Sequence, residues 1–217
     1  MKKKELETRF YSVSLETREE NGAGVITGRP IVFGVKTDLG FFDEYIEAGA
    51  LDDANLSDVR LCLNHDTSYV YARSRRNNPK NTMNIYPNRE GLDIEANLAI
   101  DESPKAQDFF SAIKRGDIDK MSFMFSIDEE RWEDLESDHP TRVITKIGSV
   151  VEVSAVTFPA YDTTSINARS RETLENARLE LENARARSVK DSAEADIKTN
   201  ELELLKEKTK ILGGIKP

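Results

Sequence analysis

Residues 121–127 carry the sequence MSFMFSI, in which apolar side chains recur at every second position. Because successive side chains of a β-strand point to opposite faces, the two phenylalanines should share one face with Met121 and Ile127. We expect that face to pack against the hydrophobic core. Ser122 and Ser126 then lie on the opposite face, and a rigid strand holds the Ser122 hydroxyl away from the core.

Further strands are predicted on both sides of this stretch, because short runs of β-branched and aromatic residues alternate with turns that contain glycine or proline. They fall at residues 9–13, 24–33, 59–64, 82–86, 92–100, 142–147 and 150–158. Strands therefore outnumber helices. The expected fold class is mainly β with peripheral helices (α+β), built as a small β-barrel.

Two helices are predicted beside these strands. One should start near residues 48–50. The other should cover residues 103–115, because Ser103 and Pro104 supply a cap and a first-turn proline, and Gly116 follows its end.

The composition changes near residue 162, just after Tyr161, the last aromatic residue of the sequence. Residues 168–217 contain no aromatic side chain and consist mainly of Ala, Glu, Arg, Lys, Leu and Asn. Such a segment adds little to a core, although most of its residues favour the helical conformation. We therefore predict a globular domain over residues 1–167 and a charged tail over residues 168–217 that is helical or disordered.

Charge and cysteine content limit the classes of partner. The chain has 217 residues and a net charge of −9, so counterion release cannot drive it onto nucleic acid, and no nucleic-acid partner is expected. Its one cysteine, Cys62, cannot form an internal disulfide, which fits a reducing cytoplasm. No apolar run approaches the length of a membrane span, so we expect no membrane association, and we expect no cofactor.

The two histidines occur in different settings. His139 lies in a polar turn, where a solvated side chain is expected. His65 follows the apolar strand at residues 59–64, where a side chain can leave the sheet and face a cleft. It can be a hydrogen-bonded structural histidine, a metal ligand with Asp66 or Cys62, or a general base. The usual spacing of metal ligands is missing, so no metal site is predicted.

Strict alternation raises a question about the direction of His65. If Val59, Leu61 and Leu63 face the core, the next odd position faces the core as well. A bulge or the end of the strand must then release His65. Alternatively, the strand lies beneath a helix and its outer face is the apolar one.

A carboxylate interrupts the β-branched run at residues 150–158, where Glu152 and Ser154 share one face. Such a residue either pairs with an arginine or orients a histidine. With Ser122 and His65 it would complete the nucleophile, base and orienter of a serine-dependent acyl transfer. His65 would take the serine proton and return it to the leaving amine, while Glu152 would fix the tautomer of His65.

These three residues lie within a longer series of segments. The series consists of GRPIVF at residues 28–33, EYIEAGAL at 44–51, LNHD at 63–66, EGL at 90–92, IKRG at 113–116, MSFMF at 121–125 and EVSAVTFPAY at 152–161. In its order and rough spacing, over residues 24–167, the chain resembles the prohead or capsid-maturation proteases of tailed bacteriophages. That family resembles the herpesvirus assemblins.

The resemblance implies a β-barrel of the assemblin type and the activity of a serine endopeptidase. By position it assigns Ser122 as the nucleophile, His65 as the general base and Glu152 as the orienter, although assemblin-like enzymes use a histidine in the third role. It implies that the major capsid protein, scaffold segments and the enzyme itself are substrates, inside the assembling procapsid in the host cytoplasm. It also suggests a homo-oligomer. Backbone amides of the turn at residues 158–162 are candidate oxyanion donors.

An alternative keeps the fold and omits catalysis. The chain would then be a catalytically inactive capsid-assembly or scaffolding module that binds shell protein through its tail. For the enzyme, we predict that the tail docks on capsid or scaffold protein and that self-cleavage between about Ala168 and Asn200 then releases it. Residues 186–200 are small, polar and charged, a composition that exposes the backbone to proteases.

Overall fold

The computed structural model describes residues 6–11, 15–20, 22–157 and 168–213. Within these residues the chain forms eleven β-strands, arranged in two sheets, and two α-helices. The elements are β1 (Glu7–Tyr11), β2 (Glu16–Glu20), β3 (Ala23–Val32), β4 (Thr37–Asp38), β5 (Asp43–Ile46), β6 (Asp58–Leu63), β7 (Ala72–Arg75), β8 (Met83–Pro87), β9 (Gly91–Leu98), α1 (Pro104–Lys114), β10 (Lys120–Glu133), β11 (Thr141–Val156) and α2 (Ala168–Gly213).

The larger sheet is organised around the long antiparallel pair of β10 and β11. Strand β1 pairs with the outer edge of β10. The first part of β11 pairs in parallel with β5, and its last part pairs in parallel with β6. Strand β11 therefore carries β10 along one side and two different strands along the other, which places β10, β11 and β6 next to one another at one end of the sheet.

The smaller sheet has the antiparallel order β2, β3, β9, β8, and the main core lies between the two sheets. The smaller sheet contributes residues such as Ile26 and Ile94, and the larger sheet contributes Met121, Phe123 and Phe125, all of them buried. The predicted core face of the strand at residues 121–127 is confirmed at these three positions.

The expected small barrel is wrong, because the pairings among the described residues do not close into a ring. Closure requires every edge strand to find a partner. Between β7 and β8 the two sheets are joined through Thr82, whose amide donates to Arg73 O at 3.1 Å and whose hydroxyl accepts from Arg73 N at 2.9 Å. These bonds do not continue into a ladder. The assignment as mainly β with helices outside the sheets is confirmed.

One of the two predicted helices in the domain is confirmed. Helix α1 begins after Ser103, whose hydroxyl accepts a hydrogen bond from Ala106 N at 3.3 Å, and Pro104 occupies its first turn. The helix predicted near residues 48–50 is wrong. There the amides of Ala50 and Asp52 bond three residues back, and Gly49 adopts φ +92°, so the segment forms successive turns.

The charged tail is helical over its described part, and its first half packs on the domain. Leu181 is buried, and Arg185 donates to the carbonyl oxygens of Leu135 at 3.1 Å and Ser137 at 2.8 Å. The Arg178 guanidinium lies 5.5 Å from the centre of a domain ring, that of Phe41. Neither helix of the described part is long and apolar enough to cross a membrane.

A buried cluster of charges ties β1 to the rest of the larger sheet. Arg9 bonds both carboxylate oxygens of Glu44, one of them at 2.8 Å. Arg142 contacts Glu44 at 3.2 Å and Glu7 at 3.1 Å, and it also pairs with Glu130. We call these five residues the ion cluster. Its members come from four strands, so the cluster fixes the position of the N-terminal strand β1.

Candidate active site

The three residues predicted to act together lie on adjacent strands. Ser122 on β10 faces Ser154 on β11 in the pairing register, and Glu152 lies two residues from Ser154 on the same face. His65 follows the end of β6, the strand on the other side of β11. The structure therefore brings the predicted nucleophile, base and orienter to one end of the larger sheet.

The direction of His65 results from two consecutive residues in the left-handed region. Strand β6 ends at Leu63, and Asn64 and His65 then adopt φ values of 51° and 60°. Asparagine tolerates this conformation better than most residues. The strand end therefore releases His65, as one of the sequence-based alternatives requires, and the alternation of β6 does not extend to it.

The turn that carries His65 is tied to β11 by its backbone. Asn64 N donates to Ala155 O at 3.0 Å, and the Asn64 side-chain oxygen accepts from Thr157 N at 2.9 Å. His65 N donates to Ser154 Oγ at 3.1 Å. These three hydrogen bonds hold the left-handed turn against the strand that carries Glu152.

The side chains of the three residues form a continuous chain of hydrogen bonds. His65 Nε2 lies 2.7 Å from Ser122 Oγ, and His65 Nδ1 lies 2.9 Å from Glu152 Oε2. An ionised carboxylate only accepts, so the contact with Glu152 favours the tautomer with hydrogen on Nδ1. The lone pair on Nε2 then faces Ser122. The His65 side chain is 20% exposed and that of Glu152 is 2% exposed, so the imidazole can reach both solvent and the buried carboxylate.

Ser122 lies on the face opposite Phe123, as predicted, but it is only 2% exposed. Its hydroxyl also lies 2.7 Å from the carbonyl oxygen of Arg9 on the neighbouring strand β1. A hydroxyl has one hydrogen, so Arg9 O and His65 Nε2 compete for it. The face turned away from the core is therefore not a solvent-exposed face at this position.

Two further polar groups, the Cys62 thiol and the Ser154 hydroxyl, lie close to Glu152. Burial, together with the charge of Glu152, raises the pKa of the Cys62 thiol to about 12, so this cysteine stays protonated at neutral pH and is a poor nucleophile. The second Glu152 oxygen, Oε1, accepts a hydrogen bond from Ser154 Oγ. Residue alternation had placed Ser154 beside Glu152, but nothing in the sequence indicated this contact.

An open cavity of about 200 Å³ lies beside the turn that carries His65, although His65 itself does not line it. The cavity is lined by three residues close to His65 in the chain and by two tyrosines: Leu63, Asn64, Asp66, Tyr69 and Tyr71. Sequence reasoning did not identify the tyrosines, because they lie outside the segments with a clear strand pattern.

His139 is exposed and pairs with two carboxylates. Its Nε2 atom lies 3.1 Å from Asp43 and 3.7 Å from Asp38. This is the one group of three potential metal ligands within mutual reach in the part of the chain that the structure describes, and His65 does not belong to it. The turn at residues 158–162, proposed for oxyanion donors, lies outside the described residues.

Comparison with known proteins gives one match. A family model described as caudovirus prohead serine protease matches residues 11–178. The matched region includes Ser122, His65 and Glu152, and most of β1 precedes it. No curated protein and no solved structure matches the chain.

Proposed function

Because the chain belongs to the caudovirus prohead serine protease family, we propose that it is the endopeptidase that cleaves scaffold and capsid-protein segments, and itself, during prohead maturation. The observation that supports this proposal best is the hydrogen-bonded chain from Ser122 through His65 to Glu152. A serine hydroxyl is a weak nucleophile at neutral pH, and this arrangement supplies the base that activates it.

In the proposed reaction Ser122 Oγ attacks the carbonyl carbon of the scissile bond while its proton passes to His65 Nε2. Glu152 stabilises the imidazolium that forms and keeps the ring in place. His65 then gives the proton to the leaving amine as the C–N bond breaks, which leaves an acyl ester on Ser122. Water attacks this ester, His65 takes the water proton, and the proton returns to Ser122 as the acid product leaves.

The contact with Arg9 adds a step before the attack. The Ser122 hydrogen must point to His65 Nε2 for transfer, although the carbonyl oxygen of Arg9 is equally close at 2.7 Å. Rotation about the Cα–Cβ bond or the C–O bond of Ser122 changes the acceptor without moving either strand. The imidazole must also be neutral, so the proposed reaction requires His65 without its second proton.

The tail is the proposed docking element. Beyond Arg185, which anchors the helix to the domain, the side chains of Leu202, Leu204 and Leu205 are exposed. Exposed leucines on a helix suit binding to a groove of capsid or scaffold protein. Self-cleavage between about Ala168 and Asn200 would then release the enzyme, and it requires local unwinding because this segment is helical. Association into a homo-oligomer inside the procapsid, in the host cell, belongs to the same proposal.

The inactive-module alternative predicts a different outcome in one experiment. The chain is co-expressed with its cognate capsid protein, and the intact masses of both are measured for the native chain and for Ser122→Ala. Ser126→Ala is the matched control, since Ser126 lies on the same strand and its hydroxyl lies 3.0 Å from that of Ser149, outside the proposed site.

We expect the native chain and the Ser126→Ala control to process the capsid protein. With Ser122→Ala, the capsid protein should stay unprocessed and the C-terminus of the chain should stay intact. Processing by purified Ser122→Ala would refute the nucleophile. Intact masses with all three chains would support the inactive module instead.

A further inference from the structure

Ser154 lies between the two residues that are proposed to assist the nucleophile. It is 0% exposed and stands opposite Ser122 in the register of β10 and β11. Its hydroxyl donates to Glu152 Oε1 and accepts from the backbone amide of His65 at 3.1 Å. Because an ionised carboxylate and an amide each allow only one direction of donation, the roles of both hydrogen bonds are fixed.

These bonds close a ring that passes through the catalytic pair. The ring runs from Ser154 to Glu152 Oε1, from Glu152 Oε2 to His65 Nδ1, and from His65 N back to Ser154. The ring therefore holds His65 at two points, its side-chain nitrogen Nδ1 and its backbone amide. Without the Ser154 hydroxyl, one buried carboxylate oxygen and one amide in a left-handed turn would lose a partner together.

We propose that Ser154 is a positioning residue of the same site, which fixes the carboxylate of Glu152 and the turn at His65 in the geometry that activates Ser122. Its hydroxyl bonds to Glu152 and to the amide of His65, so it acts through these two residues. This inference rests on the proposed function, because positioning has a consequence only where Ser122 reacts.

The test uses the rate at which a fluorophosphonate probe labels Ser122 in the purified full chain. Ser154→Ala should lower that rate by about 100-fold, since small misplacements of catalytic groups cost about that much. The matched control is Ser149→Ala, because Ser149 lies on the same strand and loses a hydroxyl bond to Ser126, 3.0 Å away. The control should be labelled at the native rate.

A spectroscopic readout separates positioning from general loosening. The proton on His65 Nδ1 that is shared with Glu152 should give a downfield ¹H resonance in the native chain and in Ser149→Ala. It should be lost or shifted in Ser154→Ala, and Ser154→Thr, which keeps the hydroxyl, should restore resonance and labelling together. Labelling of Ser154→Ala at the native rate with an unchanged resonance would overturn the proposal.

The outcomes for the proposed function are separate from these. Absence of labelling in the native chain would count against the proposed function itself. Equal losses of labelling in Ser154→Ala and Ser149→Ala would refute positioning by Ser154 and leave the proposed function standing.

The cavity beside His65 carries a second, independent inference. Tyr69 and Tyr71 form two of its walls with their ring centres 4.8 Å apart, and Tyr71 stacks on Phe109 at 4.1 Å, which makes that wall rigid. Asp66 also lines the cavity, and its carboxylate accepts a hydrogen bond from Ser68 N at 2.9 Å. The ammonium of Lys105 lies 4.6 Å from the centre of the Tyr69 ring, so this wall already accommodates a cation.

From this lining we infer that the cavity is a subsite for a lysine or arginine side chain of the substrate, with its aliphatic stem on the tyrosine rings and its charge near Asp66. Asn64 and Asp66, the residues on either side of the proposed base, both line the cavity, so a substrate at Ser122 would pass close to it. Hydrogen bonds from Ser68 lower the pKa of Asp66 and the charge of Lys105 helps to lower it, so Lys105 would compete with a substrate cation for that carboxylate. Removing Asp66 and removing Lys105 should therefore change the preference for a cationic substrate in opposite directions.

The experiment compares two peptidyl phosphonate probes that differ only in carrying lysine or norleucine. The native chain should be labelled faster by the lysine probe. Asp66→Asn should lower the lysine-to-norleucine ratio of labelling rates by about tenfold, and Lys105→Ala should raise it, since each changes one charge next to the subsite. An unchanged ratio in Asp66→Asn, or equal rates in the native chain, would overturn the subsite. A small fluorophosphonate probe that still labels Ser122 in these chains would show that the proposed function itself is intact.

Discussion

The larger sheet holds two buried polar networks that share β10 and β11 and differ in what they contain. The ion cluster consists only of arginines and glutamates, and its Arg142 has three carboxylate partners. The site around Ser122 instead contains one imidazole that is 20% exposed. Fully paired fixed charges can hold strands together, whereas chemistry needs a group that can gain and lose a proton. We therefore propose that the first network contributes stability and that the second carries the reactivity.

The ionisation of the ion cluster agrees with this division. Burial alone would raise the pKa of Glu7, but the charges of Arg9 and Arg142 outweigh it and lower that pKa below its usual value. Burial alone would lower the pKa of Arg142, whereas its three carboxylate partners raise it. Both groups thus remain charged throughout the neutral pH range. The ionisation of the cluster therefore stays constant at the pH values at which the proposed active site would work.

The largest expected effect is on activity. His65→Ala should lower the rate of processing by about 10⁶-fold, because nucleophile and base act as one unit. The free energy of unfolding should change little, since the imidazole is partly exposed. Rate measurements with capsid protein as the substrate, together with urea unfolding, check both statements. A large loss of stability would contradict the division between the two networks.

A smaller loss of activity is expected for the orienter. Glu152→Gln keeps the shape of the side chain but allows the wrong tautomer of His65, and the rate should fall by about 10⁴-fold. The ratio of this loss to that of His65→Ala is the informative quantity. Equal losses would mean that Glu152 does more than orient, and a loss below about tenfold would remove it from the site.

Breaking the ion cluster should have the opposite effects, a loss of stability without a loss of reactivity at Ser122. Arg142→Met leaves Glu130 without its arginine, while Glu7 and Glu44 keep only Arg9 of the two arginines that they share. The free energy of unfolding should fall by about 3–5 kcal/mol. Probe labelling of Ser122, corrected for the folded fraction, should stay at the native rate. Lys114→Ala, which removes an exposed pair with Glu19, is the control and should leave stability almost unchanged. Loss of labelling in folded Arg142→Met would show that the two networks are coupled.

The smallest effect is a change in the pH dependence of stability. The pKa of Glu7 is lowered on folding, so its contribution is present above its usual value of 4.5 and is lost as the pH falls through the lower, folded value. Glu7→Gln should therefore reduce the slope of the free energy of unfolding against pH below the usual pKa of this carboxyl. Urea unfolding at a series of acid pH values measures it, and an identical slope in both chains would remove Glu7 from the charge balance.

The sequence predicted local features, such as the buried face of a strand, better than features that depend on long-range contacts. Alternation at residues 121–127 identified the core face, and a rare histidine at a strand end pointed to His65. Alternation could not predict the two left-handed residues that turn His65, because they follow from contacts with β11. The two strands predicted at 142–147 and 150–158 form one strand, since Gly148 leaves room for Asp128 at a bulge.

The missed elements share a physical cause. Strands β2, β4, β5 and β7 are short or carry polar residues on both faces, so their sequences lack a two-residue period. The ion cluster was missed because its charges come from strands far apart in the chain, and Glu44 and Arg142 become neighbours only through the parallel pairing of β5 with β11. The closed barrel was wrong for the same reason, as closure depends on which strand edges meet.

The most direct test of the central claim is the location of a fluorophosphonate adduct by peptide mass spectrometry. The full native chain is treated at neutral pH beside His65→Ala and Arg142→Met. We predict an adduct on Ser122 in the native chain and in folded Arg142→Met, and no adduct in His65→Ala. An adduct on another residue, or labelling of Ser122 that survives the loss of His65, would contradict the assignment of reactivity to this network.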